Sequence, residues 1–299
     1  MEEKVIEWVK AWINKSGVDE LAVAGGVFMN VKLNQKILEL TEVNSLFVVP
    51  SGADESTAVG AAAFGYLKLC EQRGITPKFR PSDNLYLGNS YSQNQVEEFL
   101  KEGKYFDKFN IENLPDDDAI EKRVAALLAK DNVVARFKGR TEFGARALGN
   151  RSILASPKSR ETVKQINEMI KNRDFWMPFA ASVLSEDQDR YLLNPKKMTA
   201  PFMGITFDTT ALAHEHLSAA MHPYDQTCRP QIVTKDANPS YHALISEFKN
   251  LTGIGAVLNT SFNLHGQPNV ESPKDAIETL SNSGLQYLAL ENFLISKKS

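Results

Sequence analysis

A basic, glycine-rich segment between Lys138 and Ser152 carries the side chains of this sequence that are best suited to chemistry. Lys138, Arg140, Arg146 and Arg151 fall within fifteen residues that also contain three glycines. Guanidinium groups hold phosphates and carboxylates through paired hydrogen bonds, and glycines let backbone N–H groups approach an anion closely. Because a predicted strand precedes the segment, the pattern favours a pocket for a small anion over a solvated basic loop.

A second polar loop, Asn-Thr-Ser-Phe-Asn at residues 259–263, follows another predicted strand. Taken alone, the loop is best explained as a turn built from self-capping side chains. Combined with Lys138-x-Arg140, it predicts a site in which Ser261 and Asn263 hold a carbonyl–amide group while the cations hold phosphate oxygens. Arg229 would add a third cationic arm to this site.

The composition limits the classes of protein and partner. The chain has 299 residues, of which 42% are hydrophobic and 24% are charged, with a net charge of −3. This balance does not support a nucleic-acid-binding surface, because the basic character is local. Cys70 and Cys228 lie far apart and predict reduced thiols, and no apolar run approaches the roughly 20 residues of a membrane helix. We therefore predict a cytoplasmic protein without a membrane or nucleic-acid partner.

The first 70 residues alternate helices and strands in the manner of a parallel α/β layer. The apolar pattern predicts helices over 3–15, 27–40 and 57–69, and strands over 20–26 and 46–50. Ligands of such sheets bind at the carboxyl ends of the strands, where Gly25, Gly26 and Asp54 lie. Because so small a layer cannot cover its own sheet, we expect it to be part of a larger domain with an exposed apolar surface.

The rest of the chain mixes helices and short strands, which indicates an α+β domain. Helices are predicted over 93–101, 119–130, 160–171 and 274–281, and strands over 132–137, 255–259 and 287–290. A polar stretch with two prolines, residues 77–89, marks the boundary. We therefore predict one domain over 1–78 and a second over 79–299.

Four long blocks of the sequence resemble the signature of the O-carbamoyltransferase family, which includes nodulation and antibiotic-tailoring enzymes. They are EFGARALGNRSILA at 142–155, RDFWMPFA at 173–180, HPYDQTCRPQ at 222–231 and LNTSFNLHG at 258–266. The resemblance extends over nearly the whole chain. It implies an α/β fold class, in which the end of a Kae1-like layer of the actin-like ATPase class precedes an α+β domain that resembles YrdC/Sua5. The chain would then be the C-terminal portion of a carbamoyltransferase.

The resemblance also implies an activity and a set of site residues. In this family the YrdC-like domain forms carbamoyl-adenylate from carbamoyl phosphate and ATP, and the Kae1-like domain passes the carbamoyl group to a hydroxyl of a small acceptor. The catalytic residues would be Lys138, Arg140, Ser261 and Asn263. The residues that bind carbamoyl phosphate or nucleotide would be Arg146, Asn150, Arg151, Arg229, Gly25, Gly26 and Asn30.

The metal site that the resemblance implies is incomplete in this sequence. Kae1-like domains bind a divalent metal, iron or Mg²⁺, with a His-x-x-x-His pair, and Asp54 matches the acidic residue that completes the site. All five histidines of this chain lie beyond residue 210. We therefore expect either a second chain that supplies the N-terminal Kae1-like half or a homodimer.

Two other functions remain open at the level of sequence. One is synthesis of threonylcarbamoyl-adenylate for tRNA modification, which uses the same two fold types, although the 142–152 block and the missing basic surface argue against it. The other is a catalytically incomplete subunit that only binds nucleotide. The sequence does not identify the acceptor.

Overall fold

A two-stranded parallel sheet with three helices forms the start of the chain in a computed structural model, which describes residues 1–79, 84–171 and 177–298. The strands are β1 (Glu20–Val23) and β2 (Ser45–Val48), and the helices are α1 (Glu2–Ser16), α2 (Val31–Leu38) and α3 (Thr57–Arg73). Glu20 of β1 aligns with Ser45 of β2. The predicted order of helices and strands is confirmed. The 77–89 boundary and the 173–180 block extend into residues outside the described ranges, and the domain limits stay a prediction.

An eight-stranded mixed sheet dominates the remainder, in the order β3-β12-β11-β4-β5-β10-β6-β9. Its strands are β3 (Phe109–Asn113), β4 (Val134–Phe137), β5 (Arg151–Ala155), β6 (Ala180–Leu184), β9 (Pro230–Val233), β10 (Ala256–Ser261), β11 (Tyr287–Leu290) and β12 (Phe293–Lys297). The short strands β7 (Leu192–Leu193) and β8 (Asp208–Thr209) pair separately. The fold is therefore mixed α/β, as predicted.

Helices cover this sheet on both faces. They are α4 (Gln93–Glu102), α5 (Tyr105–Lys108), α6 (Asp117–Leu128), α7 (Glu161–Ile166), α8 (Gln188–Tyr191), α9 (Ala211–His216), α10 (Pro239–Thr252) and α11 (Pro273–Ser281). Leu154 of β5 packs in the same apolar cluster as residues of α6 and α10, whereas its neighbour Ile153 packs with residues of α4 and α11. Because both faces are covered, every residue of β4, β5 and β6 is buried, including the polar residues Arg136, Arg151 and Ser182.

Two helices begin or end differently from the prediction for local reasons. Residues 26–29 form a 3₁₀ turn and α2 starts at Val31, because the Asn30 side chain accepts hydrogen bonds from Lys32 N and Leu33 N. The predicted helix over 160–171 ends as α7 at Ile166 and continues as a π-helical turn, Asn167–Lys171. Lys171 is the last residue of this turn.

Helix α2 joins the first sheet to the second domain. The buried Asn34 amide donates to the Gly204 carbonyl at 2.7 Å, and the Gln35 amide donates to Asp208 Oδ1 at 3.0 Å. From the other side, the Lys196 ammonium donates to the Leu40 carbonyl at 2.7 Å. These contacts fix the β1–β2 layer against the loop that precedes β8. No helix in the described ranges has the length and apolar character needed to cross a membrane.

Candidate functional site

A small cavity of about 80 Å³ lies where the end of β10 meets the beginnings of β6 and β9. Its lining residues are Ala145, Arg146, Ala147, Phe179, Ala180, Met203, Arg229, Asn259, Thr260 and Ser261. Arg146, Arg229 and Ser261 therefore line one cavity, although they lie far apart in sequence. Two guanidinium groups beside hydroxyl-bearing side chains form a site suited to an anion. Their roles toward a ligand stay predictions.

The topology of the sheet explains why these residues meet. Strand β10 runs antiparallel to β6, and β6 runs parallel to β9, so that Asn259 aligns with Ala180 and Ala181 aligns with Pro230. The carboxyl end of β10 and the amino ends of β6 and β9 consequently lie at the same end of the sheet. Ser261 is the last residue of β10, and Arg229 immediately precedes β9.

A buried lysine that the sequence analysis did not single out anchors the Ser-x-Asn loop. Lys171 Nζ donates to Ser261 Oγ at 3.1 Å, to Asn263 Oδ1 at 2.6 Å and to the Asn263 carbonyl at 3.1 Å. The lysine is only 1% exposed, and the Ser261 hydroxyl also donates to Asn263 Oδ1 at 2.6 Å. An ammonium group with this arrangement holds both side chains in fixed positions beside the cavity.

The sequence contained a signal for this lysine. Lys171-x-Arg173 has the same spacing as Lys138-x-Arg140, and its arginine is the first residue of the 173–180 block. Two Lys-x-Arg pairs were therefore candidates for the partner of the Ser-x-Asn loop. The structure shows Lys171, of the second pair, in contact with the loop, while Arg173 lies outside the described residues.

The Lys138 loop contacts other groups, and a site that it shares with Ser261-x-Asn263 stays a prediction. Lys138 Nζ donates to Asp117 Oδ1 at 2.7 Å and to the Asn292 side chain. Arg140 donates through Nε to the Gly88 carbonyl at 3.0 Å. Strand β5 separates β4, which leads into this loop, from β10. The catalytic role predicted for Lys138 and Arg140 stays a prediction.

A carboxylate of the chain itself occupies the backbone donors of the glycine-rich loop. Glu142 Oε1 accepts hydrogen bonds from the N–H groups of Leu148 at 2.8 Å, Asn150 at 2.7 Å and Arg151 at 3.1 Å. The sequence predicts that such N–H groups approach a ligand anion. For these three groups the prediction is corrected, because their acceptor is the Glu142 carboxylate. An internal carboxylate fixes the loop, and Arg146 is the basic side chain of the segment that lines the cavity.

Arg151 and Asn150 hold the base of the same loop. The Arg151 guanidinium lies 3.5 Å from the Phe137 ring centre and donates to the carbonyls of Lys138 and Gly139, each at 3.0 Å. Burial lowers the pKa of Arg151 to about 10. Asn150 Oδ1 accepts from the buried Asn238 amide at 2.9 Å. The contribution of both residues to phosphate binding stays a prediction.

We expect Arg151→Ala to lower the free energy of unfolding by about 3 kcal/mol, because it removes a fully buried cation that satisfies several carbonyls. Urea unfolding measures this loss. Arg123→Ala on the exposed face of α6 is the control and should change stability by less than about 1 kcal/mol. Unchanged stability combined with lost anion binding would instead assign Arg151 to the ligand.

A second cavity, of about 270 Å³, adjoins the first through Arg229 and Phe179. It also involves the first layer, because Val31 and Lys32 line it. Its full lining is Val31, Lys32, Pro178, Phe179, Thr206, Ala220, His222, Asp225, Thr227 and Arg229. The two cavities together provide a small basic site beside a larger, mainly apolar one.

Asp225 and the two basic side chains that it pairs with, Lys32 and His222, line one wall of the larger cavity. Asp225 accepts from the Thr227 hydroxyl at 2.8 Å and pairs with Lys32 Nζ at 3.1 Å and with His222 Nδ1 at 3.1 Å. Partial burial acts to raise the pKa of Asp225, but the Thr227 donors and Lys32 outweigh it and lower that pKa to about 2. The carboxylate is therefore ionised throughout the neutral range. It links helix α2 to the loop before β9.

The site residues predicted in the first layer lie in the turn after β1, at the start of α2 and in the loop after β2. Gly25 has a positive φ of 102° and precedes Gly26 at the start of the 3₁₀ turn, and Asn30 caps α2 through hydrogen bonds from Lys32 N and Leu33 N. The Ser51 hydroxyl, in the loop that continues to Asp54, accepts from Ala145 N at 3.3 Å. The nucleotide-binding role of the glycines and Asn30 stays a prediction.

Asp54 is exposed and stands at the start of a short 3₁₀ turn. Within residues 1–79, 84–171 and 177–298, no three His, Cys, Asp or Glu side chains group as a metal site. The residues present therefore do not fit the iron or Mg²⁺ site that the sequence resemblance implies, and Asp54 lacks the companions that such a site requires.

The chain matches the family model for the carbamoyltransferase C-terminus over residues 125–297 and that for the carbamoyltransferase N-terminus over residues 1–63. It is 37% identical to an uncharacterized protein of Methanocaldococcus jannaschii over 100% of this chain and 48% of that protein. It is 34% identical to the nodulation protein NolO of Bradyrhizobium diazoefficiens over 95% of this chain and 50% of that protein. The chain thus spans about half the length of these curated relatives.

Solved structures resemble part of the chain. Sua5 of P. abyssi aligns with a TM-score of 0.42 and 14% identity over 60% of this chain and 47% of that one. YciO of E. coli aligns with a TM-score of 0.41 and 12% identity over 57% of this chain and 80% of that one.

Proposed function

This chain belongs to the carbamoyltransferase family, and from that premise we propose that it activates a carbamoyl group with ATP for transfer to a hydroxyl of a small acceptor. The observation that supports this most directly is the 80 Å³ cavity, which brings Arg146, Arg229 and Ser261 together at one end of the sheet. Lys171 fixes the Ser-x-Asn loop beside it. Cations and fixed dipoles of this kind stabilise charge that develops on phosphoryl oxygens.

The proposed reaction requires the site to hold a carbamate next to the α-phosphate of ATP. A carbamate oxygen forms a bond to the α-phosphorus of ATP, and the bond to the departing pyrophosphate breaks. When carbamoyl phosphate is the donor, one water is consumed and inorganic phosphate is the third product. Arg146 and Arg229 would hold phosphate oxygens in line with the carbamate, and the Ser261 hydroxyl would orient the carbamoyl group.

The larger cavity is proposed to bind the nucleoside. Its volume of about 270 Å³ suits a purine nucleoside, and it shares Arg229 with the small cavity. A nucleotide placed in this way would reach the small cavity with its phosphates past Arg229 and Phe179. Lys32 and Asp225 would close the far wall.

The activity is tested by incubating the chain with ATP, carbamoyl phosphate and hydroxylated acceptors. We expect pyrophosphate release without a carbamoylated product, because Asp54 has no metal-binding companions among the described residues. Pyrophosphate assay and mass spectrometry measure the two outcomes separately. Efficient carbamoyl transfer by this chain alone would contradict the expectation that part of the catalytic apparatus is absent.

The same assay separates the other two functions. Pyrophosphate release that depends on threonine and bicarbonate instead of carbamoyl phosphate would indicate synthesis of threonylcarbamoyl-adenylate. Binding of ATP without any pyrophosphate release would indicate a nucleotide-binding partner subunit. Carbamoyl phosphate-dependent release supports the proposed function.

A further inference from the structure

A further cavity, of about 240 Å³, lies between helix α2 and the β7–β8 pair. None of its lining residues lines either of the two cavities described above. Leu38 and Phe207, which are buried, form its apolar wall together with Leu193 and Pro195 at the surface. Small-molecule sites are typically clefts with such walls and a few fixed polar groups, and they occur preferentially where two domains meet.

A buried glutamine fixes two carboxylates at this cavity. The Gln35 side chain is 3% exposed, and its Nε2 donates to Glu39 Oε1 at 2.7 Å and to Asp208 Oδ1 at 3.0 Å. Its Oε1 accepts from Lys32 Nζ at 3.1 Å and from the Thr206 hydroxyl at 2.8 Å. Because an ammonium group can only donate, these contacts determine which end of the amide faces the carboxylates. One carboxylate belongs to α2 of the first layer and the other to β8 of the second domain.

The two carboxylates are not neutralised by a cation of the described residues, among which neither Glu39 nor Asp208 forms an ion pair. Lys196 also lines the cavity, but its ammonium donates to the carbonyls of Leu40, at 2.7 Å, and Val43. Two like charges that share one amide donor repel each other. A ligand cation between them would turn this repulsion into two favourable contacts.

The apolar wall decides which kind of cation the cavity suits. A hard metal ion needs about six or more oxygen ligands, and the leucine, proline and phenylalanine side chains offer none. An organic ammonium or guanidinium group donates charge-assisted hydrogen bonds to carboxylates, while its hydrocarbon part gains free energy from leaving water. The Phe207 ring can also attract a cation through its face.

We propose that this cavity binds a small organic cation. Its ammonium or guanidinium group lies between Glu39 and Asp208, and its apolar body packs against Leu38 and Phe207. The bound cation links α2 to β8 and thereby strengthens the contact between the first layer and the second domain. The inference goes beyond the proposed reaction and does not depend on it, because the cavities share no lining residue.

Three probes of similar shape test the charge preference: 2-phenylethylammonium, the uncharged 2-phenylethanol and the anionic 3-phenylpropanoate. We expect the ammonium to bind at least about tenfold more tightly than the alcohol, and the anion most weakly, because only the ammonium makes charge-assisted bonds to the carboxylates. Titration followed by methyl NMR measures the dissociation constants, and the shifts should occur at Leu38 and Leu193. Equal affinity of ammonium and alcohol, shifts at Val31 and Ala220 of the larger cavity instead, or no ammonium binding at about 10 mM would each overturn the proposal.

Neutral variants of the two acids separate binding from folding. Glu39 and Asp208 are exposed, and Glu39→Gln and Asp208→Asn keep the oxygen that accepts from Gln35, so both variants should fold normally. Each should weaken ammonium binding about fivefold without changing alcohol binding, and the double variant should bind both probes equally. Glu215→Gln, at an exposed carboxylate of α9 outside the cavity, is the matched control and should retain the tenfold preference.

Two results of the variant experiment would refute the proposal. A double variant that still prefers the ammonium would show that another site holds the cation. A dimer that Glu39→Gln dissociates, seen by sedimentation velocity, would show that a basic side chain of a second copy occupies the cavity. Either result would count against this site even if the pyrophosphate assay succeeds, and the probe titrations remain decisive if that assay fails.

Discussion

Replacing Lys171 by methionine is expected to slow ATP-dependent pyrophosphate release by about 100-fold, the largest effect that we predict for a single side chain. The ammonium group holds Ser261 and Asn263 through hydrogen bonds, and its loss leaves the partly buried Asn263 acceptors without their charged donor. Losing a set of charge-assisted bonds of this kind costs about 2–4 kcal/mol, or about 30- to 1,000-fold. Methionine retains much of the apolar volume, so the fold should persist.

The matched control is Lys164→Met. Lys164 lies on α7, in the helical segment that leads to Lys171, and its side chain is 65% exposed. Its replacement should leave pyrophosphate release within twofold of the original rate. Lys138→Met distinguishes the two Lys-x-Arg pairs. A strong loss of activity in Lys138→Met, with normal activity in Lys171→Met, would show that the structure-based choice of lysine is wrong.

The second large effect concerns Arg146, which lines the small cavity together with Ser261. We expect Arg146→Ala to weaken binding of ATP or carbamoyl phosphate by about 1.5–3 kcal/mol, the usual range for a charge-assisted contact. Ser261→Ala should cost about 1 kcal/mol, because a hydroxyl contributes one ordinary hydrogen bond. Isothermal titration calorimetry measures both losses. Thermal stability without ligand should change little in either variant.

The double variant tests whether the two residues share one ligand. Side chains that contact the same ligand are rarely additive, so the combined loss should differ from the sum of the single losses by at least about 0.5 kcal/mol. Arg160→Ala, at an exposed arginine elsewhere on the second domain, should bind normally and combine additively with Ser261→Ala. Additive losses for Arg146 and Ser261 would place them in separate sites.

Local sequence patterns identified most of the regular structure. The spacing of apolar residues predicted α1, α3, α4 and α6 within a few residues of their observed ends. Strand β11 matches its predicted limits. These elements have helical periodicity or a short apolar run bounded by polar residues, and both signals depend only on neighbouring residues.

Strand β5 was missed because its burial depends on distant partners. Its first residue is Arg151, which in sequence belongs to a basic, glycine-rich loop. The strand can bury that charge only because carbonyl groups of the preceding loop surround the guanidinium. Helix α10 was missed as well, although it begins with a capping asparagine, Asn238, and with Pro239 in its first turn. Caps are weak signals when the helix is not expected.

For the site, the sequence by itself determined the chemistry and the tertiary structure decided the partners. Residue types and motif blocks indicated an anion-binding carbamoyltransferase and included Arg146, Arg229 and Ser261 among its candidates. Only the sheet order shows that these three share a cavity, and only the tertiary contacts show that Lys171 donates to Ser261. Spacing along a chain fixes which side chains share one element. Which strand ends meet, and which carboxylate fills a set of N–H donors, depends on long-range pairing that local sequence does not encode.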